Sequence, residues 1–145
     1  MKTVPLAISP SDPLSELPLP LYSSRVSAGF PSPADDYLEA KLDLNSHLIK
    51  RPSATFFVRA EGDSMRGRGI YPGDLLIVDR SIRPKHGHVI IAAIHGELTC
   101  KILDTRQRCL IAANRHYQPI PITDDCEFAI EGVVTASIRY QQPSS

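Results

Sequence analysis

The density of proline at the start of the chain constrains the fold more than any other feature of the sequence. Seven of the 13 prolines lie within the first 33 residues, and the first 28 residues contain no glycine and only four charged side chains. Because proline lacks a backbone N–H and clashes with the preceding helical turn, no stable helix forms at this density. The segment is also rich in apolar residues for a linker, namely Leu19, Leu21, Tyr22, Val26 and Phe30. It therefore predicts an extended arm that docks onto a surface, with an unused disordered leader as the alternative.

The chain as a whole has room for one domain and carries no net charge. It has 145 residues, of which 42% are hydrophobic, and 16 Lys and Arg balance 16 Asp and Glu. A neutral chain lacks the positive field that binds nucleic acid irrespective of sequence. No uncharged stretch approaches the ~20 apolar residues of a membrane span, and residues 1–11 do not resemble a signal peptide. We therefore expect a soluble, cytoplasmic protein that has one fold and an appendage.

The residues beyond the arm predict a mostly β domain. Ser32 as N-cap, Pro33 at the first helical position and acidic residues in the first turn predict a short helix over about 33–40. After Pro52 the pattern changes to β-branched and aromatic runs separated by Gly and Pro. These runs predict strands near 55–60, 75–79, 88–94, 97–103, 109–113 and 128–138.

The cysteines and histidines do not form a recognisable site. Cys100, Cys109 and Cys126 lack metal-binding spacing and are predicted to be reduced core thiols. His86 and His88 would share one side of an extended chain, but no third ligand is evident. None of the five histidines lies in a recognisable catalytic motif. No metal and no other cofactor is therefore predicted.

One candidate for chemistry is Ser64, in the segment Glu61-Gly-Asp-Ser-Met65 that follows a predicted strand. A serine in a glycine-containing turn at a strand end can present its hydroxyl outward. Nearby backbone N–H groups, with those of Asp63 and Ser64 as candidates, could then receive an oxyanion. Taken alone, the segment is more typical of a simple turn.

The second candidate is Lys101, in the predicted strand Glu97-Leu-Thr-Cys-Lys-Ile-Leu103. The two-residue period of a strand puts Lys101 on the same face as Thr99 and Leu103. If both faces of the strand are covered, burial would lower the pKa of the amine and make it a plausible general base for a serine. Taken alone, an edge strand whose lysine prevents aggregation is the favoured interpretation.

Seven segments in register carry a resemblance to a known family. The chain resembles the UmuD and MucA-type SOS mutagenesis proteins of the LexA-like self-cleaving Ser/Lys peptidases, peptidase family S24. The match runs from about residue 25 to 138, and single segments of it would recur by chance. The segments are Gly29-Phe-Pro-Ser-Pro-Ala-Asp-Asp-Tyr, Pro52-Ser-Ala-Thr-Phe-Phe-Val, Gly62-Asp-Ser-Met, Gly73-Asp-Leu-Leu-Ile-Val-Asp, His86-Gly, Gly96-Glu-Leu-Thr-Cys-Lys and Gly132-Val-Val.

The resemblance implies a role for each matching residue. Ser64 matches the family nucleophile, Lys101 matches its general base, and the Ala28–Gly29 bond matches the bond that the family cuts in its own arm. UmuD proteins often have Cys-Gly at the cut, whereas Ala-Gly is usual in LexA repressors. Ile102 stands where the family frequently has a second basic residue, so only one lysine of this strand can be the base. The implied domains are an arm, residues 1–28, and a LexA-like peptidase domain, residues 29–145.

The resemblance also implies partners. A RecA filament on single-stranded DNA would stimulate the cut, and the shortened homodimer would serve a UmuC-like translesion polymerase. No membrane contact and no direct sequence-specific DNA binding are expected.

Three rival functions differ from this hypothesis in what the sequence must contain. A full LexA-type repressor needs a helix-turn-helix domain, which the prolines of the first 28 residues forbid. A type I signal peptidase needs a membrane anchor, and none is evident. The rival that stays open is a non-catalytic, dimeric polymerase-accessory module with a vestigial Ser/Lys site.

Overall fold

Antiparallel β-strands make up most of the structure, a computed structural model that describes residues 2–4, 16–22 and 38–142. Besides the strands, the described residues form an α-helix, α1 (Leu44–Leu48), and 3₁₀ turns at Pro52–Ala54 and Arg66–Arg68. The strands are β1 (Lys2–Val4), β2 (Leu19–Tyr22), β3 (Leu38–Leu42), β4 (Thr55–Arg59), β5 (Leu75–Asp79), β6 (Val89–Ile94), β7 (Glu97–Asp104), β8 (Cys109–Ile111), β9 (Ile120–Pro121) and β10 (Phe128–Ile138).

Eight of these strands form one antiparallel sheet in the order β1-β4-β5-β10-β6-β7-β8-β9. Strand β10 comes last along the chain but lies in the middle, where it pairs with β5 on one side and β6 on the other. It is irregular on both sides, with register shifts between Ile130 and Gly132 and between Val134 and Ala136. Such bulges bend a strand and increase its twist.

Gly132 allows β10 to approach β5 closely. A Cβ atom added there would lie 2.5 Å from the Cγ1 atom of Val78 and 3.2 Å from the carbonyl oxygen of Asp79. The first distance is too short for two carbon atoms and the second is tight, so a side chain at this position would force its neighbours to shift. This glycine begins the last of the segments that carry the family resemblance.

Two clusters of buried apolar side chains form the core. The first packs residues from β4, β5, β6 and β7 against the segment that follows β4, and includes Val58, Met65, Ile70, Leu76, Val78, Ile91 and Cys100. The second includes Ile90, Ala92, Leu103, Leu110 and Val133. Along β6, Ile90 and Ile91 belong to different clusters, as expected for a strand that is covered on both faces.

The chain divides into two compact units, Met1–Pro10 with Arg51–Ser145, and Ser11–Lys50. In the second unit, β2 pairs with β3 and α1 follows directly. The side chain of Asp43 caps α1 by accepting a hydrogen bond from the N–H of Asn45 at 3.2 Å. The helix predicted over 33–40 is therefore wrong for residues 38–40, because Leu-Glu-Ala-Lys-Leu alternates with a period of two and pairs with β2. Residues 33–37 lie outside the described part of the chain.

Each of the six strands predicted after Pro52 is present, with ends within two residues of the expected positions. The prediction of a mostly β, LexA-like fold is confirmed. Within the described ranges, no helix is both long and apolar enough to cross a membrane.

Candidate active site

Ser64 lies in the turn that follows the end of β4, and two backbone hydrogen bonds fix the chain where this turn begins. Ala60 N–H donates to the Asp74 carbonyl at 2.8 Å, and Gly73 N–H donates to the Ala60 carbonyl at 2.8 Å. The chain then turns through Gly62, whose φ of 76° lies in the left-handed region that favours glycine. Met65 is buried in the first core cluster directly after the serine. The turn therefore holds Ser64 between a paired strand end and a core anchor.

Lys101 lies in the interior of β7, which pairs with β6 on one side and β8 on the other. The pairing with β8 begins at Ile102, directly after Lys101. The interpretation of Lys101 as an edge-strand lysine that prevents aggregation is wrong because the residue is only 8% exposed, and the burial that the alternative required is confirmed. Its Nζ atom lies 3.0 Å from Ser64 Oγ, 2.9 Å from Thr99 Oγ1 and 3.2 Å from the Cys100 carbonyl oxygen. The structure thus brings together two residues that are 37 positions apart.

Burial changes the acid–base properties of this pair of residues. Removal of the ammonium group from water lowers the pKa of Lys101 below its ordinary value, and the neighbouring Cys100 opposes this only in part. The same burial raises the pKa of the Cys100 thiol to about 12, so the sulfur stays neutral beside the amine. With a lowered pKa, Lys101 reaches its neutral form at a lower pH, and its lone pair can then accept the hydroxyl proton of Ser64.

A small cavity of about 70 Å³ opens beside the two side chains. Ser64 and Lys101 line it together with Thr99 and the apolar residues Met65, Ile70 and Leu98. A partly open space lined by polar and apolar side chains lies next to the hydroxyl and the amine, so both groups can be reached by a bound segment of chain. The described residues thus bring a hydroxyl group and a buried amine together at the wall of one small cavity.

Not every residue predicted for the site can be placed. Asp63 and Ser64, whose N–H groups are the predicted oxyanion donors, lie in the turn. Ala28 and Gly29, the predicted cleavage site, lie outside the described residues, as do the apolar arm residues Val26 and Phe30.

Three residues near the site were missed by the sequence analysis as functional groups: Thr99, Asn114 and Tyr117. Thr99 could have been found, because it shares the strand face of Lys101 and lies two residues away. Asn114 and Tyr117 belong to the irregular segment between β8 and β9, and they contact Asp63 across 51 and 54 positions of sequence. No local pattern indicates such a contact.

The side chains of His86 and His88 bond to backbone groups outside the site, and two of the three cysteines are buried. The Nδ1 atoms of His86 and His88 accept hydrogen bonds from backbone N–H groups at 3.2 and 3.1 Å. Cys100 and Cys109 are buried free thiols, as predicted. Cys126 differs from the prediction, since it is only half-buried and its Sγ lies 3.8 Å from His95 Nε2.

Comparison with known proteins identifies the class to which this fold and this site belong. The family described as Peptidase S24-like matches residues 20–135, which is most of the chain. The chain therefore belongs to the peptidase S24 family.

Individual relatives narrow the class further. The chain is 46% identical over 135 residues to protein SamA of Salmonella typhimurium, a match that covers 92% of this chain and 94% of the relative. It is 48% identical over 128 residues to protein ImpA of Escherichia coli, with 83% of each chain covered. It is 44% identical over 122 residues to protein MucA of Escherichia coli, with 83% of this chain and 84% of the relative covered. The predicted resemblance to UmuD and MucA-type SOS mutagenesis proteins is thereby confirmed.

Proposed function

We propose that the chain is a self-cleaving serine peptidase of the SOS response, in which Ser64 is the nucleophile and Lys101 is the general base. The observation that carries the proposal is the 3.0 Å distance between Lys101 Nζ and Ser64 Oγ at a buried position. A serine hydroxyl is a weak nucleophile until a base takes its proton, and an amine can do so only when neutral. Membership of a peptidase family supports the same assignment.

The reaction divides into two steps. Ser64 Oγ attacks the carbonyl carbon of Ala28 while its proton passes to Lys101 Nζ, and backbone N–H groups of Asp63 and Ser64 stabilise the oxyanion. When the bond to Gly29 breaks, the ammonium of Lys101 returns the proton to the departing amine. Water then hydrolyses the Ser64 ester, with Lys101 again as base, and releases the arm as a peptide of residues 1–28.

The arm is the proposed substrate because it is part of the same chain. Intramolecular attack in a well-held geometry lowers a barrier by up to ~7–11 kcal/mol relative to reaction with a free peptide. Small residues on both sides of the bond, Ala28 and Gly29, would let the backbone approach Ser64 closely.

Partners and location follow from the family rather than from the site. A RecA filament on single-stranded DNA is the proposed activator, and the shortened homodimer is the proposed accessory subunit of a UmuC-like translesion polymerase in the cytoplasm.

Self-cleavage of the purified protein tests the proposal. Incubation without any activator at alkaline pH should yield a product about 3 kDa smaller, a mass set by the 28-residue arm. Its N-terminal sequence should begin Gly29-Phe30-Pro31, and Ser64→Ala should give no product. A cut at another bond, or a cut by Ser64→Ala, contradicts the proposal. Full-length protein that never cleaves, with or without a RecA filament, favours the non-catalytic accessory module instead.

A further inference from the structure

The segment after β8 holds the turn that carries Ser64 at three points. Gly67 N–H donates to the Ala113 carbonyl at 2.7 Å, and Asn114 Nδ2 donates to the Asp63 carbonyl at 3.0 Å. The Tyr117 hydroxyl donates to the Asp63 carboxylate at 2.5 Å. Residues 113–117 are called the clamp below. The clamp contacts the residue before Ser64 through both its backbone and its side chain.

The approach between the clamp and the turn leaves no spare room. A Cβ atom at Gly67 would lie 2.7 Å from the Ala113 carbonyl oxygen, so a side chain there would push the two segments apart. The backbones of the clamp and of the turn are therefore in direct contact at Gly67 and Ala113. This contact keeps Asn114 within hydrogen-bond distance of the Asp63 carbonyl.

The orientation of the Asn114 amide follows from its two hydrogen bonds. His116 N–H donates to Asn114 Oδ1 at 3.0 Å, which leaves Nδ2 to donate to Asp63. The described peptide bonds are all trans, so the Asp63 carbonyl and the Ser64 N–H point in opposite directions from one planar group. The Asp63 carbonyl also accepts a longer hydrogen bond from Arg66 N–H at 3.3 Å. Asn114 makes the shorter contact at 3.0 Å, which holds the carbonyl on the clamp side and directs the Ser64 N–H away from the clamp.

Tyr117 connects the same turn to the base. Its hydrogen bond is the largest influence that lowers the pKa of the Asp63 carboxyl, which therefore stays an ionised acceptor. The ring of Tyr117 lies 6.0 Å from Lys101 Nζ, at the limit of a cation–π contact with the ammonium. One side chain thus touches the turn of the nucleophile and lies next to the amine.

We propose that Asn114 and Tyr117 are positioning residues that fix the Asp63–Ser64 peptide and so present the Ser64 N–H as an oxyanion donor. The inference rests on the proposed function, because it assigns these residues to the same reaction. Neither side chain takes part in a bond-breaking step. Asn114 donates a hydrogen bond to the Asp63 carbonyl, and Tyr117 donates one to the Asp63 carboxylate.

Replacement of the donor of Asn114 by an acceptor of the same shape tests the proposal. Asn114→Asp keeps the oxygen that accepts the hydrogen bond from His116 N–H. Its second oxygen replaces the Nδ2 donor and faces the Asp63 carbonyl oxygen, so that two acceptors repel each other. We expect self-cleavage to slow about tenfold or more at every pH, since loss of an oxyanion donor itself slows acyl transfer by about 10²–10³. Gln118→Glu is the matched control, because it adds the same charge at an exposed position of the same loop, and it should cleave at the wild-type rate.

Two further measurements separate positioning from a merely structural role. The reaction of Ser64 with a small fluorophosphonate needs the serine, the base and the oxyanion donors but not the arm, so it should slow in Asn114→Asp as cleavage does. The loss should persist on the plateau of the pH profile, where Lys101 is neutral in both proteins and a shift of its pKa by the new carboxylate no longer slows the reaction. Tyr117→Phe, which keeps the ring but loses the hydrogen bond to Asp63, should slow both reactions by a smaller factor.

Several results would overturn the proposal. It is wrong if Asn114→Asp reacts at the wild-type rate, or if Gln118→Glu loses as much activity. It is also wrong if the loss in Asn114→Asp disappears at a temperature where wild type and variant are equally folded. Cleavage by Ser64→Ala would instead remove the proposed function and this inference together, so the two failures are distinguishable.

Discussion

At the scale of single residues, the buried amine makes the pH dependence of self-cleavage diagnostic. Only neutral Lys101 can accept the proton of Ser64. The rate of self-cleavage should therefore rise about tenfold per pH unit and level off near the pKa that Lys101 has in the folded protein. Burial lowers this pKa, so the plateau comes below the ordinary value of a lysine. We expect acceleration from pH 7 to beyond pH 9, measured by product bands over time.

Variants of Lys101 provide the control for this profile. Lys101→Ala removes the base, and Lys101→Arg places a guanidinium that stays protonated, so neither should cleave at any pH. A wild-type rate that does not change above pH 7, or residual cleavage by Lys101→Ala that titrates like a histidine, would contradict the assignment of the base.

The same burial should make Lys101 a source of instability at neutral pH. The unfolded chain holds the lysine at its ordinary pKa of ~10.4, whereas the folded pKa is lower. Below the folded pKa both states are protonated, and the folded state bears the full cost of a buried ammonium. As pH rises from the folded toward the unfolded pKa, the native state releases its proton first and the cost disappears.

The free energy of unfolding of Lys101→Met, relative to that of wild type, should therefore be higher at pH 7 than at pH 10, by up to about 1.4 kcal/mol for each unit of pKa shift. Urea denaturation at both pH values measures it, with the exposed Lys85→Met as control. A stability difference between Lys101→Met and wild type that is the same at pH 7 and pH 10 would mean that the pKa of the amine is not lowered by folding.

Sequence alone could predict only part of the site at this scale. Ser64 and Lys101 stand in recognisable local patterns, and the strand period correctly put Thr99 beside the lysine. The distance between the serine and the lysine could not be predicted, because it depends on how the turn after β4 packs against β7. The clamp could not be predicted either, because its contacts with Asp63 also depend on tertiary packing. Asn114 and Tyr117 lie in a polar loop whose composition is typical of many surface turns.

At the scale of secondary-structure elements, Gly132 makes a sharp prediction about packing in the sheet. Gly132→Ala would place a methyl group 2.5 Å from Val78 Cγ1, a buried branched side chain that cannot rotate away. Overpacking of this kind lowers the free energy of unfolding by about 1–3 kcal/mol. Chemical denaturation of Gly132→Ala measures the loss.

Val78→Ala supplies the control for this prediction. In the presence of Val78→Ala, which removes the offending methyl groups, the further change Gly132→Ala should cost less than it does in wild type. Independent, additive losses would show that the two positions do not collide.

Removal of strand β1 with the arm should make amide groups of β4 exchange faster. It pairs with β4 in the register Lys2 with Arg59, Thr3 with Val58 and Val4 with Phe57, and it is part of the proposed cleaved peptide. Loss of β1 would leave backbone groups of β4 unpaired at the sheet edge. Amide protons of Phe57–Arg59 that face β1 should then exchange faster after cleavage, measured by hydrogen–deuterium exchange. Gln107 and Arg108, between β7 and β8, serve as an internal reference and should not change.

Sequence reasoning at this scale succeeded with long, patterned strands and failed with short ones. The six strands predicted after Pro52 contain enough β-branched and aromatic residues to be recognised from the local sequence. Strands such as β9, with two residues, exist only because a partner strand supplies the hydrogen bonds. The segment Leu38–Leu42 was misread because an N-cap and early acidic residues favour a helix locally, whereas pairing with β2 determines the outcome.

At the scale of the whole molecule, we expect two chains to associate. An arm with several apolar residues and a small core suggest that a second copy covers further surface, and a symmetric homodimer is the commonest solution. Sedimentation equilibrium at micromolar concentration should give about twice the chain mass of 16.0 kDa. A mass of 16.0 kDa at all concentrations would contradict the prediction.

The central place of β10 has a consequence for the order of events during synthesis. Ser64 follows β4, and Lys101 lies in β7, but among the described strands the pair β4–β5 is joined to the pair β6–β7 only through β10. On the ribosome, the nucleophile, the base and the arm all emerge before this strand does. The two halves of the site therefore stay unconnected in the sheet until residues 128–138 have left the exit tunnel. We therefore expect the proposed self-cleavage of the arm to begin only after synthesis of the chain is complete.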